Sequence, residues 1–357
     1  MNIAKYLKDA KNEDITIISV SYGSMALLAV NRMLVDRLNP TGKIHWIVVD
    51  NTPSESTGGV SIDNKHFYVL PGVVLSKDES ENIGYGSIAH AKAVNIAVAY
   101  VKTDIYLVLD PDCFIVKRDW VEWLLNRLRF RRIAFFGTPY HPERLSNFTL
   151  IRQTYMYFPT AICMAVNKSL LENMCFFYSD FSPNIDGIFN KKNFQSEIAA
   201  KFRRSEKLVS GSFFKKRIVD CADCFCSFIH VFFLFIIRLR LSRRYDIGHK
   251  MYEFYSKRVS VETASVRFVK EFPPLFRFWK WVIPQSVLGY PKRREYWTNK
   301  KISYVPVGLE SQGRWEEFFV DGEPFAFHIG KVTYCGDRSD FHLAFKIVSK
   351  IINDHLV

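Results

Sequence analysis

The sequence has little cysteine, few acids relative to its bases, no internal repeat and no clean apolar run long enough to cross a bilayer. Its seven cysteines, at positions 113, 163, 175, 221, 224, 226 and 335, form no regular framework, and a chain of 357 residues needs no disulfide staples. A reducing, cytosolic setting is expected. Cys221, Cys224 and Cys226 with His230 lack a second pair of ligands, which argues against a zinc site there. The segment from Met1 to Asp14 is polar and charged, without the apolar centre of a secretory signal, so no export is expected. No recognised nucleic-acid module is visible. Nor does Ser21-Tyr22-Gly23-Ser24, after the first apolar run, supply the Gly-rich loop with a nearby Arg or Lys that a sugar-phosphate nucleotidyltransferase would carry.

What is present is an ordinary globular composition, 48% hydrophobic and 24% charged, in a chain long enough to bury a large core. The net charge of +13 calls for an anionic partner: nucleic acid, an acidic membrane surface or a phosphorylated substrate. The first third alternates apolar runs with amphipathic stretches, the pattern of βαβ units feeding a parallel sheet. The spacing predicts strands at Ile15 to Val20, at Ile44 to Val49 ending on Asp50, and at Ile105 to Leu109, with helices at Met25 to Leu38 and about Ser87 to Val101. Ligands of open parallel sheets sit outside the carboxyl ends of the strands, so Ser21, Tyr22, Asp50 and Asp110 should share one rim.

Further on, strands are expected at Ile133 to Gly137, Thr160 to Val166 and Phe325 to Ile329, a loop at Thr138 to Pro142, and helices at Lys168 to Met174 and Ile247 to Arg258. An aromatic, Pro-rich stretch runs from Phe272 to Tyr296. Residues 190–244 differ in composition and look inserted: polybasic from Lys201 to Arg217, apolar from Cys221 to Ile237, basic again from Arg238 to Arg244. The organisation expected is a nucleotide-sugar-binding half at 1–137, an acceptor-binding and catalytic half at 138–345 that contains this insertion, and a C-terminal helix end at 346–357.

Asp110-Pro111-Asp112 just past a buried strand has two readings, a turn with two solvated acids or a seat for a divalent cation that neutralises a departing diphosphate. The motif has company. Ile18-Ser19-Val20-Ser21-Tyr22, Val48-Val49-Asp50-Asn51, Glu81-Asn82-Ile83-Gly84-Tyr85-Gly86 and Leu107-Val108-Leu109-Asp110-Pro111-Asp112, in this order, closely resemble the nucleotide-binding half of family 2 glycosyltransferases, rhamnosyltransferase-like members among them. The resemblance covers roughly residues 14–116. It implies a GT-A fold: α/β, with a Rossmann-like, mostly parallel central sheet flanked by helices, here carrying a helical basic and apolar insertion.

The same resemblance implies a UDP- or dTDP-sugar donor and Mn2+ or Mg2+ held by Asp110 and Asp112. Tyr22 would border the base, Asp50 would hydrogen-bond its edge, and the loop Asn82 to Gly86, with Gly84, Tyr85 and Gly86, would lie near nucleotide and sugar. Ser19 and Ser21 belong to the same nucleotide set. His328, in Phe325-Ala326-Phe327-His328-Ile329-Gly330-Lys331, is similar to the late histidine that many GT-A enzymes place on the metal or diphosphate, with Lys331 then facing the phosphates. The bland alternative for His328 is a satisfied core residue. His90 and Lys92 have no secure counterpart in the family.

An inverting transferase also needs a base for the acceptor hydroxyl. Asp246, in Tyr245-Asp246-Ile247-Gly248-His249-Lys250, precedes an amphipathic helix as the family's catalytic acid does. It would also serve as a plain N-cap, and Asp186 is the rival base. Gln312-Gly313-Arg314-Trp315 is one residue short of the processive-synthase signature and is read as coincidence.

Cys221 to Ile237, interrupted by Asp223 and His230, is at the short limit for a membrane span, and a span would put Asp246 across the bilayer from Asp110 and Asp112. A buried or interfacial helix remains, and its basic flanks favour the interfacial one. The expectation is thus a transferase peripheral on the inner face of the cell membrane, acting on a saccharide or lipid-linked saccharide acceptor in surface-polysaccharide assembly, with an anionic membrane surface as partner and no nucleic acid. The alternatives are a sugar-phosphate nucleotidyltransferase or a non-catalytic basic protein that binds membrane or nucleic acid.

Overall fold

A computed structural model describes residues 3–52, 67–80, 85–139, 158–174, 180–182, 249–265 and 315–329, together with a few positions between 342 and 353. The predicted segments 190–244 and 272–296, and the positions Asn82, Gly84, Asp186, Asp246 and Lys331, lie outside the described residues.

In chain order the strands are β1 (Ile15–Ser21), β2 (Ile44–Asp50), β3 (Tyr68–Pro71), β4 (Ile105–Leu109), β5 (Cys113–Ile115), β6 (Phe135–Pro139), β7 (Pro159–Asn167), β8 (Val261–Thr263), β9 (Trp315–Val320) and β10 (Glu323–Ile329). The helices are α1 (Ile3–Tyr6), α2 (Met25–Leu38), α3 (Lys77–Ser80), α4 (Tyr85–Val98), α5 (Trp120–Phe130), α6 (Lys168–Asn173) and α7 (His249–Tyr255).

A seven-stranded sheet has the order β3-β2-β1-β4-β7-β6-β8. All of its strands run parallel except β7, which is antiparallel to both β4 and β6. The fold is therefore α/β with a large, mostly parallel central sheet flanked by helices, as expected. β1 is buried at every position because both sheet faces are covered. Alternation along the strands sends Ile17, Trp46, Val48 and Leu107 into one core with α2 and α5, and Ile18, Ile47, Val49 and Val108 into the other with α4 and α7. β6 and β8 extend the same sheet that β1, β2 and β4 begin, so both halves of the chain share one backbone ladder.

A second, antiparallel sheet of order β5-β10-β9 lies on the α2 and α5 side. Its Phe114 and Phe327 rings stack at 5.0 Å. Arg127 of α5 joins the two sheets. It donates to Glu262 on β8 and, at 2.7 Å, to Asp321 in the turn between β9 and β10, with its guanidinium 4.9 Å from the Trp123 ring.

The strand at 105–109 and the helix at 25–38 fall where the spacing predicts them; other boundaries shift. The helix expected from Ser87 begins at Tyr85 and ends at Val98. Tyr85 and Gly86 are consequently helical and not part of the loop expected to run to Gly86. Thr138 and Pro139, expected in a loop, belong to β6. β3, β5 and β8 went unanticipated because three or four residues carry too little periodicity to register, whereas α5 has a helical apolar spacing at Trp120, Val121, Leu124, Leu125 and Leu128 that is legible after the fact. No described helix is long and apolar enough to cross a membrane.

Candidate functional site

The parallel strands end on one rim, and side-chain hydrogen bonds lock the rim from below. The Ser19 hydroxyl on β1 donates to the Leu109 carbonyl at 2.6 Å and accepts from Trp46 Nε1 at 3.1 Å. Ser19 is thus a tie inside the sheet between β1, β2 and β4, its proton given to Leu109 and one lone pair to Trp46. Ser21, also buried, ends β1 in register with Asp50. Tyr22, the next residue, is 49% exposed and presents its ring at the rim.

Asp50 accepts from the Thr52 backbone amide at 3.1 Å and from the Thr52 hydroxyl, and that hydroxyl accepts from the Gly23 amide at 2.7 Å. The loops after β1 and β2 are tied together in this way, with the Asp50 carboxylate in the tie. Asn51, which the motif contains but to which no role was given, bridges outward: its side chain donates to the Ala89 carbonyl of α4 and accepts from the Val73 amide. Gly72 is needed where it stands, since a Cβ there would meet the Asp50 carbonyl oxygen at 2.4 Å.

Asp110 follows β4 and is anchored by its amide, which donates to the Ile162 carbonyl at 2.9 Å. Asp112 leads directly into β5. Because Cys113 pairs with His328 across the β5–β10 ladder, and the Ile329 amide donates to the Asp112 carbonyl, two residues far apart in sequence meet. His328 Nε2 lies 3.4 Å from Asp112 Oδ1, and His328 Nδ1 lies 2.7 Å from Glu316 Oε2. Glu316 is the cross-strand neighbour of His328 on β9 and was not anticipated. Its sequence signal is a pair of acids, Glu316 and Glu317, next to the apolar Phe318 to Val320.

Asp112, His328 and Glu316 are each about 95% buried, so Asp112 is not the exposed strand-end acid that an isolated motif suggests. Burial by itself would push the His328 imidazole down, but the Asp112 and Glu316 carboxylates override it and raise its pKa to about 10. His90 of α4 is the second unanticipated member. Its Nε2 is 3.6 Å from Asp110 Oδ1, too far for a hydrogen bond, and makes none elsewhere. Burial lowers its pKa to about 4, against the pull of the Asp112 carboxylate, so this ring is neutral. Lys92, two residues onward, is occupied by Glu79 of α3 at 2.7 Å.

Whether a divalent cation fits is a question of donor chemistry. With carboxylates at both nitrogens His328 is an imidazolium here; a cation beside Asp112 would displace the Nε2 proton, and Glu316 behind the ring would then orient the imidazole as an outer carboxylate. Among the described residues no three His, Cys, Asp or Glu side chains converge on one point. Asp112 and His328 offer one carboxylate oxygen and one imidazole nitrogen, so a cation seated there would complete its shell with phosphate oxygens and water.

Asp180 links α4 to α7. It accepts from Asn95 at 3.3 Å and from Lys250 at 2.8 Å, and although burial opposes it, the Lys250 ammonium holds this carboxyl well below the usual range. Lys250 is the second residue of α7, so this clasp fixes the start of α7 against α4. Cys113 and Cys163 are free, buried thiols, and burial pushes the Cys113 thiol up into its unreactive form.

No family model matches this sequence. No curated protein matches it either. Among solved structures, a mannosyltransferase from Pyrobaculum calidifontis in complex with GDP-Man and Mn2+ is similar over 50% of this chain and 54% of its own, at 14% identity and a TM-score of 0.33. The galactosyltransferase LgtC, in complex with donor and acceptor sugar analogs, is similar over 44% of this chain and 59% of its own, at 15% identity and a TM-score of 0.31. TarS from S. aureus is similar over 45% of this chain and 29% of its own, at 14% identity and a TM-score of 0.30. The chain spans less than two thirds of the length of each, and likeness this partial leaves its activity to be argued from its own residues.

Proposed function

We propose that the protein is a metal-dependent, inverting glycosyltransferase of the GT-A type that moves one sugar from a UDP- or dTDP-sugar to a saccharide acceptor, lipid-linked and destined for a surface polysaccharide. The observation that carries this reading is the meeting of Asp110-Pro111-Asp112 with His328 and Glu316 at the carboxyl end of β4, on the rim that also bears Tyr22 and Asp50. Residues 1–137 form the nucleotide-sugar half and residues 138–345 the acceptor half.

In this reading Tyr22 borders the base, Asp50 receives its edge, and Ser21 and Asp110 line the nucleotide. Asn82, Gly84, Tyr85 and Gly86 lie toward the sugar. Asp110, Asp112 and His328 would hold Mn2+ or Mg2+, with Glu316 orienting the His328 ring, and Lys331 would face the phosphates. A divalent cation bound there neutralises the diphosphate as it departs. Asp246 takes the acceptor hydroxyl's proton while that oxygen bonds to the anomeric carbon; the bond from that carbon to the diphosphate oxygen breaks, and the nucleoside diphosphate leaves with the electron pair. The basic and apolar segment 190–244 holds the enzyme at the cytoplasmic membrane face.

A thermal-shift panel of nucleotides and nucleotide-sugars tests the class. A ligand at a hundred times its Kd stabilises the folded state by about 2.7 kcal/mol, so a uridine or thymidine diphosphate sugar should raise the melting temperature by several degrees with manganese and by much less without it. A panel in which no nucleotide shifts melting, with or without manganese, removes the proposal.

The base assignment has its own test. Asp246→Asn keeps the size and most of the capping ability of Asp, so the helix should form, yet turnover should drop about a hundredfold or more with donor affinity unchanged. Near-normal turnover in Asp246→Asn, combined with an inactive Asp186→Asn that still binds donor, transfers the role to Asp186.

A further inference from the structure

The pole of the sheet opposite the catalytic rim carries an exposed aromatic beside exposed cations. Phe130, the last residue of α5, is 84% exposed, although α5 otherwise buries its apolar side chains. Arg131 and Arg132 follow it, both exposed, and Lys257 and Arg258 stand on the neighbouring turn before β8, where the Ala134 amide donates to the Ser260 carbonyl. Between these turns is a cavity of 390 Å³ whose wall combines Arg132, Lys257 and Arg258 with the apolar Leu170, Met174 and Val259, with no acid among the described residues that line it. Arg131 leans 3.7 Å from Glu262, but among the described residues no acidic side chain pairs with Arg132 or Lys257.

An exposed Phe is ordinary by itself, but one set beside exposed cations and a mixed basic and apolar cavity is what an anionic interface accommodates: the ring enters the acyl boundary while the cations meet headgroup phosphates. A mixed basic and apolar cavity beside it suits one headgroup with the start of its glycerol and acyl portion. We propose that this pole, centred on Phe130, Arg132 and Lys257, docks on an anionic phospholipid bilayer.

β4 and β6 run parallel, so Asp110 at the end of β4 and Arg132 before β6 lie at opposite ends of the sheet. Docked by this pole, the rim faces away from the bilayer by roughly the 17–23 Å of a five- to seven-residue strand. Resting on the transfer reading, this further implies an acceptor saccharide several units long, not the first sugar on a lipid.

Sedimentation of the full chain with vesicles of phosphatidylcholine, alone or mixed with phosphatidylglycerol, tests the docking. Wild type should partition onto the mixed vesicles and be released by salt. Arg132→Gln and Lys257→Gln should each lower partition on the order of fivefold at low salt. Phe130→Ser should lower it about tenfold or more, with little salt dependence. Lys77→Gln, which removes an equal charge on the rim side, should leave it unchanged, and all variants should melt as wild type because the altered side chains are exposed. Undiminished partition of the Phe130→Ser, Arg132→Gln, Lys257→Gln triple variant overturns the proposal, as does an equal loss in Lys77→Gln. Saturable binding of inorganic phosphate or a nucleic-acid oligomer that these variants lose, without vesicle binding by wild type, overturns it too. Donor-induced thermal shifts should be normal in every variant, so failure here is separable from failure of the transferase reading.

Discussion

Asp112→Asn is expected to lower manganese-dependent turnover by about a thousandfold or more while the protein stays folded. The carboxylate faces His328 at 3.4 Å in a site only 5% exposed, and Asn reproduces its shape without its charge. A cation that neutralises a leaving diphosphate supplies several kcal/mol of transition-state stabilisation, and about 4 kcal/mol corresponds to a thousandfold. Losing a formal charge from a site with few protein ligands removes most of that. The fold should survive because His328 keeps Glu316 at 2.7 Å and the β5–β10 ladder is made by backbone groups. Steady-state turnover against manganese concentration, with circular dichroism melts, is the measurement. His328→Gln should show the same loss of manganese binding by calorimetry. Near-normal turnover at limiting manganese in Asp112→Asn would detach the metal from this site.

The second large effect concerns stability. Arg127→Ala should destabilise the protein by about 3 kcal/mol, the low end of what removing one partner from a buried ion pair costs. The guanidinium side chain is only 7% exposed, whereas Glu262 is 27% exposed and Asp321 is 62% exposed, so the Asp321 contact contributes little and the loss falls mainly on Glu262 and on packing against Trp123. Arg127→Lys should recover only part of the loss, since a single ammonium cannot serve β8 and the β9–β10 turn at once. Denaturant unfolding at neutral pH measures both variants. A cost under about 1 kcal/mol for Arg127→Ala would mean that the two sheets are held together by their apolar contacts alone.

How far the molecule was legible depends on how local each feature is. Ile15 to Val20, Ile44 to Val49 and Ile105 to Leu109 are apolar runs with turn residues after them, and Met25 to Leu38 has a helical period bounded by Pro40 and Gly42. Such signals lie within a few residues and translate directly into β1, β2, β4 and α2. The rim follows from them, because parallel strands must all present the same end. Ser19 shows the limit: nothing local says that its hydroxyl ties Leu109 and Trp46 together inside the sheet.

The sequence by itself determined an α/β chain with a mostly parallel sheet and two aspartates delivered just past a buried strand, since those properties are written in short-range apolar periodicity. Tertiary structure alone decided that β5 pairs with β10, that His328 and Glu316 therefore stand against Asp112, that His90 turns toward Asp110, and that Arg127 clasps two sheets. Those contacts depend on the register between segments distant in the chain. Register is settled by the simultaneous burial of both partners' apolar faces, a condition that no single stretch of sequence contains.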